Sequence, residues 1–294
     1  SLIDHNPKQR DVLFPYLNGE DLNSRPDQSP SRWVINFFDW PIEKAMDYPD
    51  CFQIVEGKVK AERQKLMGRN SIGTKRATYW WQYGSISKNL YDLLAHYGRV
   101  YVTVLVSKYI NIVSEPSNLV FSHKLCVFPV QDTGFFSVLS SDIHNIWARK
   151  YSSTLETRLN YSPSDCFLTF PFPTNPSNTE SIGEMYYDCR KNIMLGNDEG
   201  LTKTYNRFHD PSDCTEEISQ LRNLLVSLDQ SVAISYGWDD LELGHDFHET
   251  KQGVRFTIKA IAQREVLQRL LQLNHERYEE EVRQIGRASC RERV

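Results

Sequence analysis

The sequence predicts an α+β protein, a mixed α/β portion followed by an all-helical one, on three observations. Val100-Tyr-Val-Thr-Val-Leu-Val106 is β-branched and apolar on both alternating faces, the mark of a strand covered on two sides. Ile218, Leu221, Leu225, Leu228 and Val232 recur at steps of 3, 4, 3 and 4, a single stripe of a helix that must pack on something. Between them, Phe170-Pro-Phe-Pro-Thr-Asn-Pro176 ends the strand signals and marks a boundary.

In chain order, residues 5–31 are rich in Asn, Asp, Pro and Ser around the apolar stretch 12–17 and read as a connector. Residues 34–38 form a candidate strand. Pro49 suits a first helical turn and opens a helix to about Met67, with Phe52, Val55, Val59 and Leu66 on one face and a basic opposite face. Beyond the strand at 100–106, further strands are expected at 109–113, 119–121, 125–129 and 135–139. Ser140 or Ser141 then caps a short helix that turns Ile143, Ile146 and Trp147 inward. A final helix carries Val266, Leu267, Leu270, Leu271 and Tyr278. The expected division is a connector at 1–30, a mixed domain at 31–175, a helical domain at 176–285 and a tail at 286–294. That tail breaks the preceding helical pattern and has the character of vector read-through.

The formal net charge is -4, which argues against polyanion binding only if it is evenly spread. Residues 58–108 hold ten Lys and Arg against Glu62 and Asp92, a local +8 that leaves -12 elsewhere. Tyr79, Trp80, Trp81 and Tyr83 sit inside this block, and cations interleaved with rings are the composition of a nucleic-acid face. The same pattern also reads as a solvated basic helix followed by an aromatic strand, in which case one of Trp80 and Trp81 is core. A second run, Gly200-Leu-Thr-Lys-Thr-Tyr-Asn-Arg-Phe-His-Asp-Pro211, offers cations, hydroxyls, an amide and rings together, the groups that grip phosphates and read base edges. It also reads as a loop joining helices. Lys75, Arg76, Arg99, Lys108, Lys203 and Arg207 are the candidates for phosphate or guanine contacts, with Tyr79, Gln82, Tyr205, Asn206 and His209 as polar or stacking partners.

Other chemistries find little support. No stretch approaches the roughly 18 apolar residues of a membrane span and no basic-then-apolar leader opens the sequence, so a cytoplasmic protein is expected. The six cysteines are scattered without a Cys-x-x-Cys pair and read as reduced thiols. Asp50 and Glu56-Gly-Lys58 imitate the carboxylates and lysine of magnesium-dependent nucleases, but at short spacing and on a helical segment. His245 and His248 lack a third metal ligand and read as loop residues. There is no Gly-x-Ser-x-Gly elbow and no two glycines stand one residue apart, so no catalytic constellation is complete.

Five separated stretches carry a family resemblance: Leu17-Asn-Gly-Glu-Asp-Leu-Asn23; Trp33-Val-Ile-Asn-Phe-Phe-Asp-Trp-Pro41; Tyr161-Ser-Pro-Ser-Asp-Cys-Phe167 with Phe170-Pro-Phe-Pro173; the 200–211 run; and Phe247-His-Glu-Thr250. In order, over residues 5 to about 284, the chain resembles the C-terminal part of large single-chain type II adenine DNA methyltransferases of restriction-modification systems. The resemblance implies a target-recognition domain and a helical region that clamps double-stranded DNA, downstream of a methyltransferase domain. It also implies S-adenosylmethionine as cofactor of the whole enzyme. Adenine methylation needs an Asn- or Asp-Pro-Pro-Tyr loop, and this sequence contains no Pro-Pro pair. Catalytic, cofactor-binding and metal-binding residues are therefore expected outside it. A free-standing DNA-binding specificity subunit or regulator is the alternative.

Overall fold

A computed structural model describes residues 6–85, 87–155 and 158–291. Its first half contains β1 (Leu13–Leu17), α1 (Gly19–Ser24), β2 (Arg32–Ile35), α2 (Ile42–Met46), α3 (Pro49–Val55), α4 (Ala61–Gln64), α5 (Ser71–Thr78), α6 (Lys88–Leu94), β3 (Arg99–Val104), β4 (Val106–Ser107), β5 (Val113–Pro116), β6 (Val120–Phe121) and β7 (Leu125–Phe128). The second half contains α7 (Thr133–Ser140), α8 (Asp142–Tyr151), β8 (Ser153–Leu155), β9 (Arg158–Asn160), α9 (Glu180–Gly196), α10 (Leu201–Phe208), α11 (Glu216–Ser235), β10 (Asp246–Thr250), β11 (Gly253–Thr257) and α12 (Ala260–Arg291). The fold class is the expected one, small sheets with helices followed by a mainly helical region. No helix among the described residues is long and apolar enough to cross a membrane.

The chain divides into two compact units. The first takes residues up to 18, 30–100 and 116–122; the second takes 19–29, 101–115 and those from 123 onward. In the first, β1 pairs antiparallel with β2, Leu13 opposite Ile35, and parallel with β6, Tyr16 opposite Val120. Its core gathers Val12, Phe37, Ala45, Tyr48, Cys51, Phe52 and Trp80, with Ile35, Trp40 and Trp81 packed against it. Pro49 stands at the first turn of α3, as its missing N–H allows, and the helix passes through a wide turn at Glu56–Lys60 into α4.

The second unit holds the sheet β5-β3-β7, in which Tyr101 faces Phe128 and Val104 faces Leu125, and a smaller sheet of β4, β9 and β8. Around them pack α7 to α12. Ser141 caps α8 by accepting the His144 amide through Oγ at 3.3 Å, and Ile143, Ile146 and Trp147 are buried as the spacing requires. The stripe on α11 is wholly buried. On α12, Val266 and Leu270 are buried but Leu271 and Tyr278 are exposed; no residue from 271 to 284 is buried.

Several local expectations are corrected. Residues 135–139 form part of α7, not a strand: Asp132 accepts the Phe135 amide at 3.0 Å and nucleates a turn, and the mostly apolar run is buried from Phe136 to Leu139, with the Ser137 hydroxyl donating to the Thr133 and Thr179 carbonyls. The strand expected at 109–113 begins only at Val113. The connector at 5–31 contains β1 and α1. Among the described residues the helical region carries a hairpin, β10–β11, which takes in His248, read as a loop residue, while His245 precedes it in irregular structure as expected. Its turn needs Gly253, which sits at φ +88°. α12 continues to Arg291, across the point where the sequence pattern breaks; residues 292–294 lie outside the described ones. Cys51, Cys126, Cys166, Cys189 and Cys214 are unpaired thiols.

Candidate nucleic-acid interface

In the first unit, α5 delivers the cations. Asn70 Oδ1 accepts the Gly73 amide at 2.7 Å and starts the helix; Tyr79, at φ -104° and ψ 51°, ends it. Gly73 and Ala77 face inward, which leaves Lys75 and Arg76 exposed in the last turn, where the helix dipole favours positive charge. The chain then turns: Trp80 enters the core at 6 % exposure, and Trp81 Nε1 and Gln82 Nε2 both donate to the Trp40 carbonyl, at 2.8 and 2.9 Å. From α4, the Arg63 guanidinium donates to the Gln82 carbonyl.

These contacts enclose a cleft of about 310 Å³ lined by Arg63, Lys75, Arg76, Tyr79, Gln82 and Tyr83, with Gly84 and Ser85. Three cations and no carboxylate line it. Burial, and then the charge of Arg76, lower the Arg63 pKa, as expected where positive groups gather without an acid between them. A Cβ on Gly84 would lie 2.7 Å from Arg76 Nε, so the glycine lets that guanidinium lie close over the backbone. Other basic side chains are paired at the surface: Lys60 with Glu56, Lys65 with Glu62 and Lys88 with Asp39. Arg99 is exposed at the start of β3.

In the second unit, the 200–211 run is not a loop but α10 with its flanks. Lys203 and Asn206 are exposed on it. Asn206 Oδ1 accepts from Lys108 Nζ and from the Tyr109 hydroxyl, both at 2.8 Å, and the His209 ring stacks on Tyr109 at 5.1 Å. Lys108, Asn206 and His209 thus share one locality. His209 is held neutral, its pKa driven well below the usual value by burial and then by Arg255, Arg149, Lys108 and Arg222.

Two expected contacts are placed elsewhere. Tyr205 is 6 % exposed, its hydroxyl 2.5 Å from that of Tyr186 and 3.4 Å from Arg190 Nη1. Arg207 is held by Glu199 at 2.9 Å, Asp213 at 2.8 Å and Glu217 at 2.7 Å. Burial works against its charge, but the hydrogen bonds it donates to those three carboxylates raise its pKa, so the guanidinium braces its own unit. A carboxylate triad occupies the donors that a phosphate would need.

Sequence reasoning left Arg63 and Tyr83 out of the candidate contacts, although both lie in the basic block and line the cleft. It also missed the group Asp142, Asp229 and His245, whose ligand-type atoms lie within 4.8 Å of one another. Hydrogen bonds account for that group: His245 Nε2 meets Asp229 Oδ2 at 2.8 Å, the Asp142 amide donates to Asp229 Oδ1 at 2.8 Å, and Thr257 donates to Asp142 Oδ2 at 2.6 Å. His248 instead turns to the Gly244 carbonyl. Asp50 lies in α3 and Glu56 is paired with Lys60, so the nuclease-like carboxylates share a helical run rather than adjacent strands.

A family model described as the target recognition domain of MmeI matches residues 1–174, and the chain belongs to that family. A solved structure of the type IIL restriction-modification enzyme MmeI in complex with DNA shares the fold, with a TM-score of 0.66 and 19 % identity over 93 % of this chain. The chain spans 32 % of the length of that protein. No curated protein matches.

Proposed function

We propose that the chain reads the sequence of double-stranded DNA on behalf of an S-adenosylmethionine-dependent adenine DNA methyltransferase of the cytoplasm. Methyl transfer belongs to a methyltransferase domain upstream in the same enzyme, and this segment supplies no catalytic, cofactor or metal-binding residue. The sequence-reading part is residues 31–175, a division supported by the family match ending at residue 174, and the helical part is 176–285. The observation that carries the reading is the carboxylate-free cationic cleft in a chain of the target-recognition family. Lys75, Arg76, Arg99, Lys108 and Lys203 are exposed and suited to phosphates, and Tyr79 and Asn206 offer an exposed ring and amide to bases; Gln82, half-buried on the cleft wall, and His209, half-buried against Tyr109, stand beside them.

The test is titration of the chain on random duplexes at two salt concentrations, followed by selection of preferred sites. Lys75→Ala and Arg76→Ala are expected to weaken all duplexes alike and each to reduce the salt slope by about one; Gln82→Ala is expected to relax base preference. A flat salt slope with no selectable site overturns the reading.

A further inference from the structure

A second cavity, of about 120 Å³, lies wholly within the second unit, lined in part by Ser140, Asn145 and Arg149, His209 at the end of α10, and Arg255 on β11. Arg255 pairs opposite His248 in the hairpin, and its guanidinium carbon stands 5.1 Å from the centre of the Tyr109 ring. Its Nε and Nη2 are buried, and among the described residues neither has a hydrogen-bond partner; Nη1 reaches only the Val254 carbonyl, at 3.4 Å. Ser140 Oγ, on the wall of the same cavity, is likewise buried without a partner. A buried charged donor left unpaired is among the costliest arrangements in a folded protein, and here a hydroxyl shares the condition in one cavity.

The local charge points to the missing partner. Arg149 and Arg255 face one carboxylate, Asp142, whose oxygens are engaged by Thr257 at 2.6 Å and Asn145 at 3.2 Å. Arg149 Nε donates to Asn145 at 2.9 Å, and burial, with Arg255 contributing, lowers its pKa. His209 accepts the Phe256 amide at Nδ1, at 3.2 Å, so its neutral ring keeps the proton on Nε2 as a further donor. Nε and Nη2 form one edge of the guanidinium, two parallel N–H groups spaced to hold two oxygens of one phosphoryl or sulfuryl group.

We propose that this cavity binds a tetrahedral oxyanion of the phosphate class, gripped by the Nε–Nη2 edge of Arg255 with Ser140 and Arg149 beside it. The anion is either free in solution or a phosphodiester of bound nucleic acid; only the latter source rests on the DNA reading above.

The experiment is calorimetric and thermal-shift titration of the chain with inorganic phosphate and with chloride at matched ionic strength. A second arm is duplex binding with and without phosphate at the same ionic strength. Phosphate is expected to raise the Tm saturably where chloride does not. Arg255→Gln is expected to abolish the effect, and Ser140→Ala to weaken phosphate binding several-fold with the fold intact by circular dichroism. If phosphate also competes with duplex and Arg255→Gln weakens duplex about tenfold, the source is the DNA backbone. If phosphate binds without competing, the source is a free anion. A chain that binds phosphate but no duplex keeps this site and loses the DNA reading. The proposal is overturned if phosphate has no saturable effect on the chain and Arg255→Gln and Ser140→Ala leave duplex affinity unchanged.

Discussion

Arg222 shows how one side chain sets a functional neighbourhood without belonging to it. From α11 its guanidinium donates to the carbonyls of Phe208 at 2.9 Å, Asp213 at 2.7 Å, Arg207 at 3.1 Å and Asp210 at 2.8 Å, closing the C-terminal end of α10 that carries Lys203 and Asn206. Arg222→Met keeps the bulk but orphans those carbonyls, and is expected to cost on the order of 3 kcal/mol in urea unfolding; a loss under about 1 kcal/mol would mean that water replaces it. His144 sets a pH dependence. It is buried, with Nδ1 donating to the Leu139 carbonyl at 3.0 Å and Nε2 facing the Tyr161 hydroxyl at 3.2 Å, and burial pushes its pKa down to about 4. Since the folded value lies below the unfolded one, its contribution is complete above pH 6.5 and is lost as pH falls toward 4, up to about 3 kcal/mol for the single group. The Tm is expected to fall across that window, and His144→Gln to flatten the fall; an unchanged profile refutes the assignment. Legibility at this scale followed proximity in sequence. Lys75, Arg76, Tyr79 and Gln82 were readable because one helix end and one turn carry them, whereas Arg149 and Arg255 meet only after α8 and β11 have folded together.

Elements were readable where a long period or a cap stood in the sequence. The stripe on α11 formed as its spacing required, without a side-chain cap, and of Ser140 and Ser141 it is Ser141 that caps α8. α7 was misread because a short, mostly apolar run carries no clear period, and only the Asp132 cap distinguished helix from strand. The β10–β11 hairpin went unread because His248, Glu249 and Arg255 interrupt its β-formers Phe247, Thr250, Val254, Phe256 and Thr257. Close approach between elements was equally hidden. Gly200 precedes α10, and a Cβ there would lie 2.4 Å from the Ser24 carbonyl carbon and 2.5 Å from the Asn23 oxygen, backbone atoms that cannot turn aside. Gly200→Ala is therefore expected to cost about 1–3 kcal/mol by thermal unfolding. Gly200→Ser separates the causes: serine is the better helix cap, so a stabilised serine variant would show that capping outweighs the clash.

At the scale of the molecule, charge is partitioned between the two units. Residues 1–18, 30–100 and 116–122 hold 13 Lys and Arg against 9 Asp and Glu, a net +4, so the rest carries -8 of the total -4. On the proposed reading, a duplex approaching the chain feels both, over distances set by salt. At about 0.01 M ionic strength the Debye length is about 30 Å and the overall negative charge opposes encounter; at about 0.15 M it is about 8 Å and only the surface close to the duplex matters. On the proposed reading, cleft cations should therefore govern affinity at all salts, while carboxylates that do not touch the duplex govern only the association rate at low salt. Glu276, Glu280 and Glu281 are exposed on α12 and serve as the probe. Replacing all three with Gln is expected to speed association several-fold in stopped-flow mixing at low salt, to change it little at physiological salt, and to leave the dissociation rate alone. A rate gain that persists at high salt, or a change in dissociation, would place α12 against the duplex and make its carboxylates part of the binding surface.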